Sequence, residues 1–245
     1  MGFRAMRGHA SVRPVALQDP LVSVLVPAFD EARTIVETLE RVREHVPFRT
    51  EIIVVDDGSA DGTGDLAAAV DGVTVVRHPV NRGKGAALRS GIERSTGDIV
   101  VVQDADLEYD PVDIPKLLEP ILRGAADVVY GTRLRGGEPQ RAHLFWHYAG
   151  NRFLSLVTGI LYNTTISDME VGYKAFVGDL IRSIDLVSED FAIEPEMTAK
   201  VLRRQARIYE VPISYFGRTF AEGKKITWRD GVKALVTLIR FRIRE

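Results

Sequence analysis

The chain has 245 residues, of which 45% are apolar and 27% charged, and its formal net charge at pH 7 is -2. This composition is typical of a soluble globular protein, and the slight negative charge argues against nucleic acid as a partner. The absence of cysteine excludes disulfides, thiolate zinc sites and a cysteine nucleophile, and is compatible with a cytoplasmic protein. No apolar run approaches the ~20 residues that would span a bilayer.

Predicted strands and helices alternate over the first half of the chain. Residues 1–19 contain three arginines and no continuous apolar stretch, and we expect a flexible tail there. Apolar, valine-rich runs predict strands over 21–29, 51–59, 73–78, 98–106 and 126–133. Helices are predicted over 31–46, 61–70, 83–95 and 113–124. This alternation predicts βαβ crossovers and a largely parallel sheet with both faces covered.

The second half of the chain is less regular. An aromatic-rich helix is predicted over 143–162, a helix over 194–205 and a strand over 207–216, whereas 167–176 fits a strand or a loop. The chain ends in a basic helix over 227–245. We expect one α/β domain over residues 20–220, followed by a basic amphipathic segment over 221–245.

Polar residues follow four of the predicted strands. In an open parallel sheet, ligands bind beyond the carboxyl ends of the strands, so these residues are expected to share one edge. They form the segments Pro27–Glu31, Asp56–Ser59 and Asn81–Gly85, and the acid series Asp104, Asp106, Glu108 and Asp110.

The acid series has a chemical interpretation. In an extended chain, Asp104, Asp106 and Glu108 would point the same way and repel each other. A divalent cation relieves this repulsion, and hard oxygen ligands suit Mg²⁺ or Mn²⁺ bridged to a substrate diphosphate. Lys84, between two glycines at a predicted helix start, favours an anion, although a plain helix start explains the stretch equally well.

The motifs VPAFDE, VVDDGSADGT, NRGKGAA, DADLE and GTR, in this order, resemble family 2 glycosyltransferases of the GT-A fold. The similarity runs from about residue 22 to about residue 220, within the branch of dolichyl- or polyprenyl-phosphate mannose and glucose synthases. It implies a Rossmann-like three-layer α/β sandwich with a mostly parallel sheet. It also implies inverting transfer of a hexose from GDP-mannose or UDP-glucose to a lipid phosphate, with Mg²⁺ or Mn²⁺.

The resemblance also implies roles for individual residues. Asp104, Asp106 and Glu108 would bind the metal and the diphosphate, and Asp106 would be essential for the reaction. The other residues implied in donor binding are Pro27, Phe29, Glu31, Asp56, Asp57, Gly58, Lys84 and Ala105.

The acceptor side has two interpretations. A phosphate acceptor is already ionised and needs cations rather than a base; Arg133 is the first choice, followed by Arg135, Arg141 and Arg152. A sugar hydroxyl acceptor needs a general base. Asp168 and Glu170 are the candidates, and Asp168 is preferred because the resemblance places an acid near the acceptor.

Other functions and partners fit less well. A sugar-phosphate nucleotidyltransferase should carry a glycine-rich basic loop after the first strand, where this chain has PAFDEAR. A non-enzymatic nucleotide-binding module would not need the acid series. The basic C-terminal helix and the 143–162 helix either meet the membrane surface, making the protein peripheral, or pack on the domain or a second subunit.

Overall fold

The structure is a computed structural model that describes residues 17, 19–136, 145–218 and 228–243. Its strands are β1 (Leu21–Ala28), β2 (Arg49–Asp56), β3 (Val73–Arg77), β4 (Ile99–Val102), β5 (Val128–Thr132), β6 (Lys174–Val177) and β7 (Ile208–Pro212). Its α-helices are α1 (Ile35–His45), α2 (Thr63–Ala68), α3 (Lys84–Arg94), α4 (Ile114–Leu122), α5 (Phe145–Tyr162), α6 (Gly178–Arg182), α7 (Ile193–Arg203) and α8 (Trp228–Ile243).

The strands form one sheet in the order β3-β2-β1-β4-β6-β5-β7. The pairs β1/β2, β1/β4, β2/β3 and β5/β7 are parallel. Neighbouring residues of β1 and β4 point to opposite faces yet are almost all buried, so both faces of the sheet are covered. The predicted α/β architecture with a mostly parallel sheet is therefore confirmed.

The ambiguous segment 167–176 contains a strand, β6, which lies in the middle of the sheet. β6 runs antiparallel to both of its neighbours, β4 and β5. It therefore begins at the edge where β4 and β5 end. The loop that leads into β6 consequently lies among the residues that follow those two strands.

The hydrophobic core explains the regular part of the sequence pattern. Ile35, Leu39 and Val42 lie one helical turn apart on α1 and are fully buried. Val24 and Val101, paired across β1 and β4, are also fully buried. The apolar residues whose spacing predicted these elements are therefore the residues that the elements bury in the core.

The C-terminal helix α8 packs on α5 and α7 through one face, which includes the buried Ala234, Leu238 and Phe241. Its opposite face is exposed. Among the residues that the structure describes, no helix is both long and apolar enough to cross a membrane. The predicted tail at 1–19 falls almost wholly outside the described residues, as do 219–227, so the domain boundary at 220 stays a prediction.

Candidate active site

Asp104, just beyond the end of β4, is paired with a lysine. Nζ of Lys84, the first residue of α3, lies 2.7 Å and 3.0 Å from the two carboxylate oxygens of Asp104. It also lies 3.4 Å from Oε1 of Glu194, whose other oxygen pairs with the buried Lys174. Burial opposes the charged form of Lys84, but Asp104 and Glu194 outweigh it and raise the pKa. These four side chains form a chain of alternating charges in which Lys84 stays protonated.

Asp106 and Glu108 are paired with an arginine that is distant in sequence and follows β7. The guanidinium of Arg218 lies 2.8 Å from Asp106 and 2.9 Å from Glu31. The backbone N–H of Arg218 donates to Glu108 at 2.8 Å, and the Tyr215 hydroxyl donates to the other oxygen of Glu108 at 2.9 Å. One guanidinium therefore neutralises carboxylates from two separate segments.

The chain after β4 is not extended, which corrects the premise that its acids point the same way. β4 ends at Val102, turns follow, and Leu107 adopts a left-handed backbone conformation with φ of 58°. This conformation is unfavourable for a leucine. It divides the acids between two cations, with Asp104 on Lys84 and Asp106 on Arg218.

Within the described residues, no three or more His, Asp or Glu side chains converge in a geometry that would hold a metal ion. Asp104, Asp106 and Glu108 nevertheless offer the hard oxygen ligands that Mg²⁺ and Mn²⁺ prefer. Each acid already faces a positive charge, so this edge of the sheet suits a cation. The residue types therefore fit a divalent ion.

Asp57, predicted to contact the nucleoside, is 3% exposed and shapes the loop before α3. Its carboxylate accepts hydrogen bonds from the backbone N–H groups of Arg82 and Gly83, at 2.7–3.1 Å. Nδ1 of the buried His78 lies 2.6 Å from the same carboxylate. Asp57 thus fixes the start of the helix that carries Lys84, and nucleoside contact by Asp57 stays a prediction.

The remaining predicted donor residues lie at the same sheet edge. Asp56 accepts from the backbone N–H of Ser59, and Gly58 has a φ of 77° with backbone so close that a Cβ would lie 2.5 Å from Val80. Pro27 and Phe29 are half-buried around the end of β1. Ala105 is buried, and its carbonyl accepts from Thr38. Their donor contacts stay predictions.

Arg133 and Asp168, predicted separately as acceptor cation and general base, form one buried ion pair. Nε and Nη2 of Arg133 donate to the two oxygens of Asp168 at 2.8 Å and 2.7 Å, and the Arg133 backbone N–H adds a third bond at 3.0 Å. Asn151 donates a fourth at 2.6 Å. Burial alone would raise the pKa of Asp168, but Arg133 and Asn151 keep it below its usual value. The geometry favours a positioning role for Asp168 and disfavours proton abstraction.

Two of the other predicted arginines line one groove. Arg135 pairs with Glu210 at 2.9 Å, and Arg152 is exposed. Both border a cleft of about 520 Å³ whose apolar wall includes Leu156 and Ile160. Arg141 lies outside the described residues. The groove thus combines guanidinium groups with an apolar surface.

Sequence reasoning missed the residues that hold these side chains. Arg218 lies over 100 residues after the acids, and no motif or spacing connects it to them. The Tyr109 hydroxyl accepts from Nη1 of Arg133 and from the backbone N–H of Gly172, both at 3.3 Å. The one available signal was electrostatic, since an acidic strand end needs nearby cations.

The sheet and the site together define the class of protein. Solved structures of glucosyl-3-phosphoglycerate synthase from Mycobacterium tuberculosis share the fold. One of them, with Mn²⁺, UDP and glucosyl-3-phosphoglycerate, has a TM-score of 0.73 at 23% identity and covers 92% of this chain and 81% of the neighbour. The chain therefore has the GT-A glycosyltransferase fold, as the motifs implied.

The sequence comparisons identify the family. The family model "Glycosyl transferase family 2" matches residues 23–174, and the chain belongs to this family. It is 34% identical over 220 residues to the undecaprenyl-phosphate mannosyltransferase of Micrococcus luteus, covering 83% of this chain and 86% of that protein. It is also 28% identical to the dolichol-phosphate mannosyltransferase of Pyrococcus furiosus, covering 83% of this chain and 58% of the relative's length.

Proposed function

We propose that this glycosyltransferase moves a hexose, with inversion, from a nucleotide sugar to a polyprenyl phosphate. The observation that carries the proposal is the pairing of an acidic strand end at β4 with a rigid, buried arginine after β5 on the same edge of the sheet. The first suits a nucleoside diphosphate with its cation, and the second suits a phosphate. The names of the Micrococcus and Pyrococcus relatives support this acceptor class.

The reaction needs the negative charges of the leaving diphosphate and of the incoming phosphate to be stabilised on opposite faces of C1 of the transferred sugar. The bond from C1 of the hexose to the diphosphate oxygen breaks, and a phosphate oxygen of the acceptor bonds to C1 from the opposite face. A divalent cation, Mg²⁺ or Mn²⁺ held by Asp104, Asp106 and Glu108, would supply Lewis-acid stabilisation of the leaving diphosphate. The acceptor oxygen is already ionised, so no general base is required.

Arg133 is the best-placed cation for the acceptor phosphate. Four hydrogen bonds fix the Asp168 carboxylate against Arg133 and Asn151, and the Arg133 guanidinium lies 5.0 Å from the Tyr215 ring centre. A side chain held in this way loses little conformational freedom when it binds a ligand. Arg135 and Arg152, which line the apolar groove, would accompany the start of the lipid chain.

The proposal includes peripheral contact with the membrane that contains the acceptor. Helices α5 and α8 pack together, and each exposes large apolar side chains to solvent. On α5 these are Phe145, Trp146, Tyr148, Phe153, Leu156 and Ile160, and on α8 they are Val232, Val236, Ile239 and Ile243. The exposed basic residues of α8, among them Lys233 and Arg240, suit anionic head groups.

A sugar hydroxyl acceptor is the second candidate. Glu170 favours it, because burial raises the pKa of Glu170 to about 7, in the range of a working general base. Asp168, the earlier preference for that role, is committed to Arg133. An assay with polyprenyl phosphate and with soluble hydroxyl acceptors distinguishes the two candidates.

The central test uses Asp106→Asn with Glu119→Gln as its control, since Glu119 is an exposed residue of α4. Transfer from GDP-mannose and UDP-glucose is measured with and without polyprenyl phosphate and Mn²⁺. We expect metal-dependent transfer in the wild type and the control, and loss of transfer in Asp106→Asn with little change in Tm. Full turnover by Asp106→Asn, or transfer only to hydroxyl acceptors, would contradict the proposal.

A further inference from the structure

One short segment, Asp168–Gly172, joins the two charged clusters of the site. At its start, Asp168 is bound to Arg133. At its end, Gly172 packs so closely on the other cluster that a Cβ there would lie 2.7 Å from Oδ2 of Asp104 and 2.9 Å from Nζ of Lys84. Glu170 lies midway between these two ends.

The Tyr109 hydroxyl fixes this arrangement from outside the segment. It accepts a hydrogen bond from Nη1 of Arg133 and another from the backbone N–H of Gly172, each at 3.3 Å. Tyr109 is itself buried. Tyr109 therefore holds Gly172 directly and Asp168 through Arg133, which restrains the segment on both sides of Glu170.

One carboxylate oxygen of Glu170, Oε1, is buried and has no hydrogen-bond partner within the described part of the chain. The charged groups that face it are Lys174, Glu194, Arg133 and Asp168. The two cations among them are engaged, since Lys174 is bonded to Glu194 and to the carbonyl of Met169, and Arg133 to Asp168.

An arrangement of this kind is costly in a folded protein. A buried polar atom without a partner costs about 1–3 kcal/mol, and such atoms are rare in native structures. Burial also raises the pKa of Glu170 to about 7, against the opposing charge of Lys174 and with repulsion from Glu194 added. A carboxyl group near half-protonation can both donate a hydrogen bond and accept one. A polar ligand with a hydroxyl group would complete the hydrogen bonding of Oε1.

The geometry of the proposed transfer supplies that ligand. C1 of the hexose must lie between the leaving diphosphate, at Asp104 and Asp106, and the incoming phosphate, at Arg133. The sugar ring therefore lies beside the segment that joins the two clusters. We infer that Glu170 binds a hydroxyl group of the transferred hexose and thereby positions the sugar and contributes to its selection.

This inference rests on the proposed function, and the test separates the two. Dissociation constants are measured by calorimetry with Mn²⁺ present for GDP, UDP, GDP-mannose and UDP-glucose. The variants are Glu170→Gln, Glu170→Ala and the surface control Glu119→Gln. The quantity of interest is the ratio of the Kd of the nucleoside diphosphate to the Kd of its sugar nucleotide, because this ratio measures how much the sugar contributes to binding.

We expect all variants to bind the preferred nucleoside diphosphate as the wild type does. Glu170→Ala should lower the ratio about tenfold, the loss of one buried hydrogen bond, and Glu170→Gln should lower it less because an amide still donates and accepts. An unchanged ratio in Glu170→Ala overturns the inference, including the case in which turnover alone is lost. Failure of the wild type to bind any nucleotide would instead overturn the proposed function. Glu170→Gln keeps the side-chain volume, so it tests the idea even if Glu170→Ala does not fold.

Discussion

The charge state of Glu170 makes a prediction about stability. Glu170→Gln replaces a buried carboxyl group by a neutral group of the same shape. The pKa is raised from 4.5 to about 7 in the folded protein, so the folded state binds more protons than the unfolded state between these values. The contribution of Glu170 to the free energy of unfolding of the wild type is therefore fully present below about pH 4.5 and is lost as the pH rises through 7.

The size of the effect follows from the same shift. At about 1.4 kcal/mol for each tenfold change in proton affinity, the upper limit is roughly 3.5 kcal/mol. Oε1 of Glu170 is buried but the rest of the residue is partly exposed, and solvent screening lowers the expected value to about 2 kcal/mol. Glu170→Gln should thus be about 2 kcal/mol more stable than the wild type near pH 8 and nearly equal to it near pH 4.5.

The assay is urea unfolding of wild type, Glu170→Gln and Glu119→Gln at these two pH values, followed by tryptophan fluorescence. The exposed Glu119 should show no pH-dependent difference, because its surroundings hardly change on unfolding. Equal stability of Glu170→Gln and wild type near pH 8 would refute the claim that Glu170 is buried at a cost. A gain of the same size at both pH values would show that packing, and not charge, is responsible.

Three further substitutions test the rest of the site. Asp168→Asn should lower the free energy of unfolding in urea by about 3 kcal/mol, because Arg133 loses its buried partner. The control Asp127→Asn breaks the more exposed pair with Arg207 and should lower it by about 1 kcal/mol. Equal losses in the two variants would contradict the positioning role of Asp168. Gly172→Ala should lower the donor kcat/KM at least tenfold by displacing Asp104 and Lys84, whereas Gly150→Ala, which meets no neighbouring atom, should leave activity unchanged. Arg218→Gln should tighten Mn²⁺ binding to the nucleotide-free protein, because Asp106 is then no longer paired with a guanidinium. The affinity is measured by electron paramagnetic resonance, and an unchanged affinity would show that the metal does not bind at Asp106.

Much of the fold could be predicted from the sequence because burial imposes local periodicity. β1, β2 and β4 appear as apolar runs, and α1 as a repeat at helical spacing. The position and direction of β6 could not be predicted in this way. Four residues of strand carry little periodic signal, and their neighbours in the sheet, β4 and β5, are set by long-range packing.

The site was predictable in its location but not in its pairing. Asp104, Asp106 and Arg133 follow strands, and the rule for parallel sheets brings them to one edge. Which cation faces which acid depends on contacts across the chain, such as that of Arg218 with Glu31, which are separated by 187 residues. Asp168 illustrates the consequence, because an acid that suits proton abstraction by its type is engaged by Arg133.

The reversed direction of β6 has an evolutionary implication. Because this strand starts where its neighbours finish, the loop before it lies at the sheet edge that carries Asp104 and Arg133, while the strand itself stays within the sheet. Met169 and Val171 are buried in the core, whereas Glu170 between them is partly exposed. We therefore expect donor specificity to diversify fastest at Glu170 when the protein is evolved in the laboratory toward new donors.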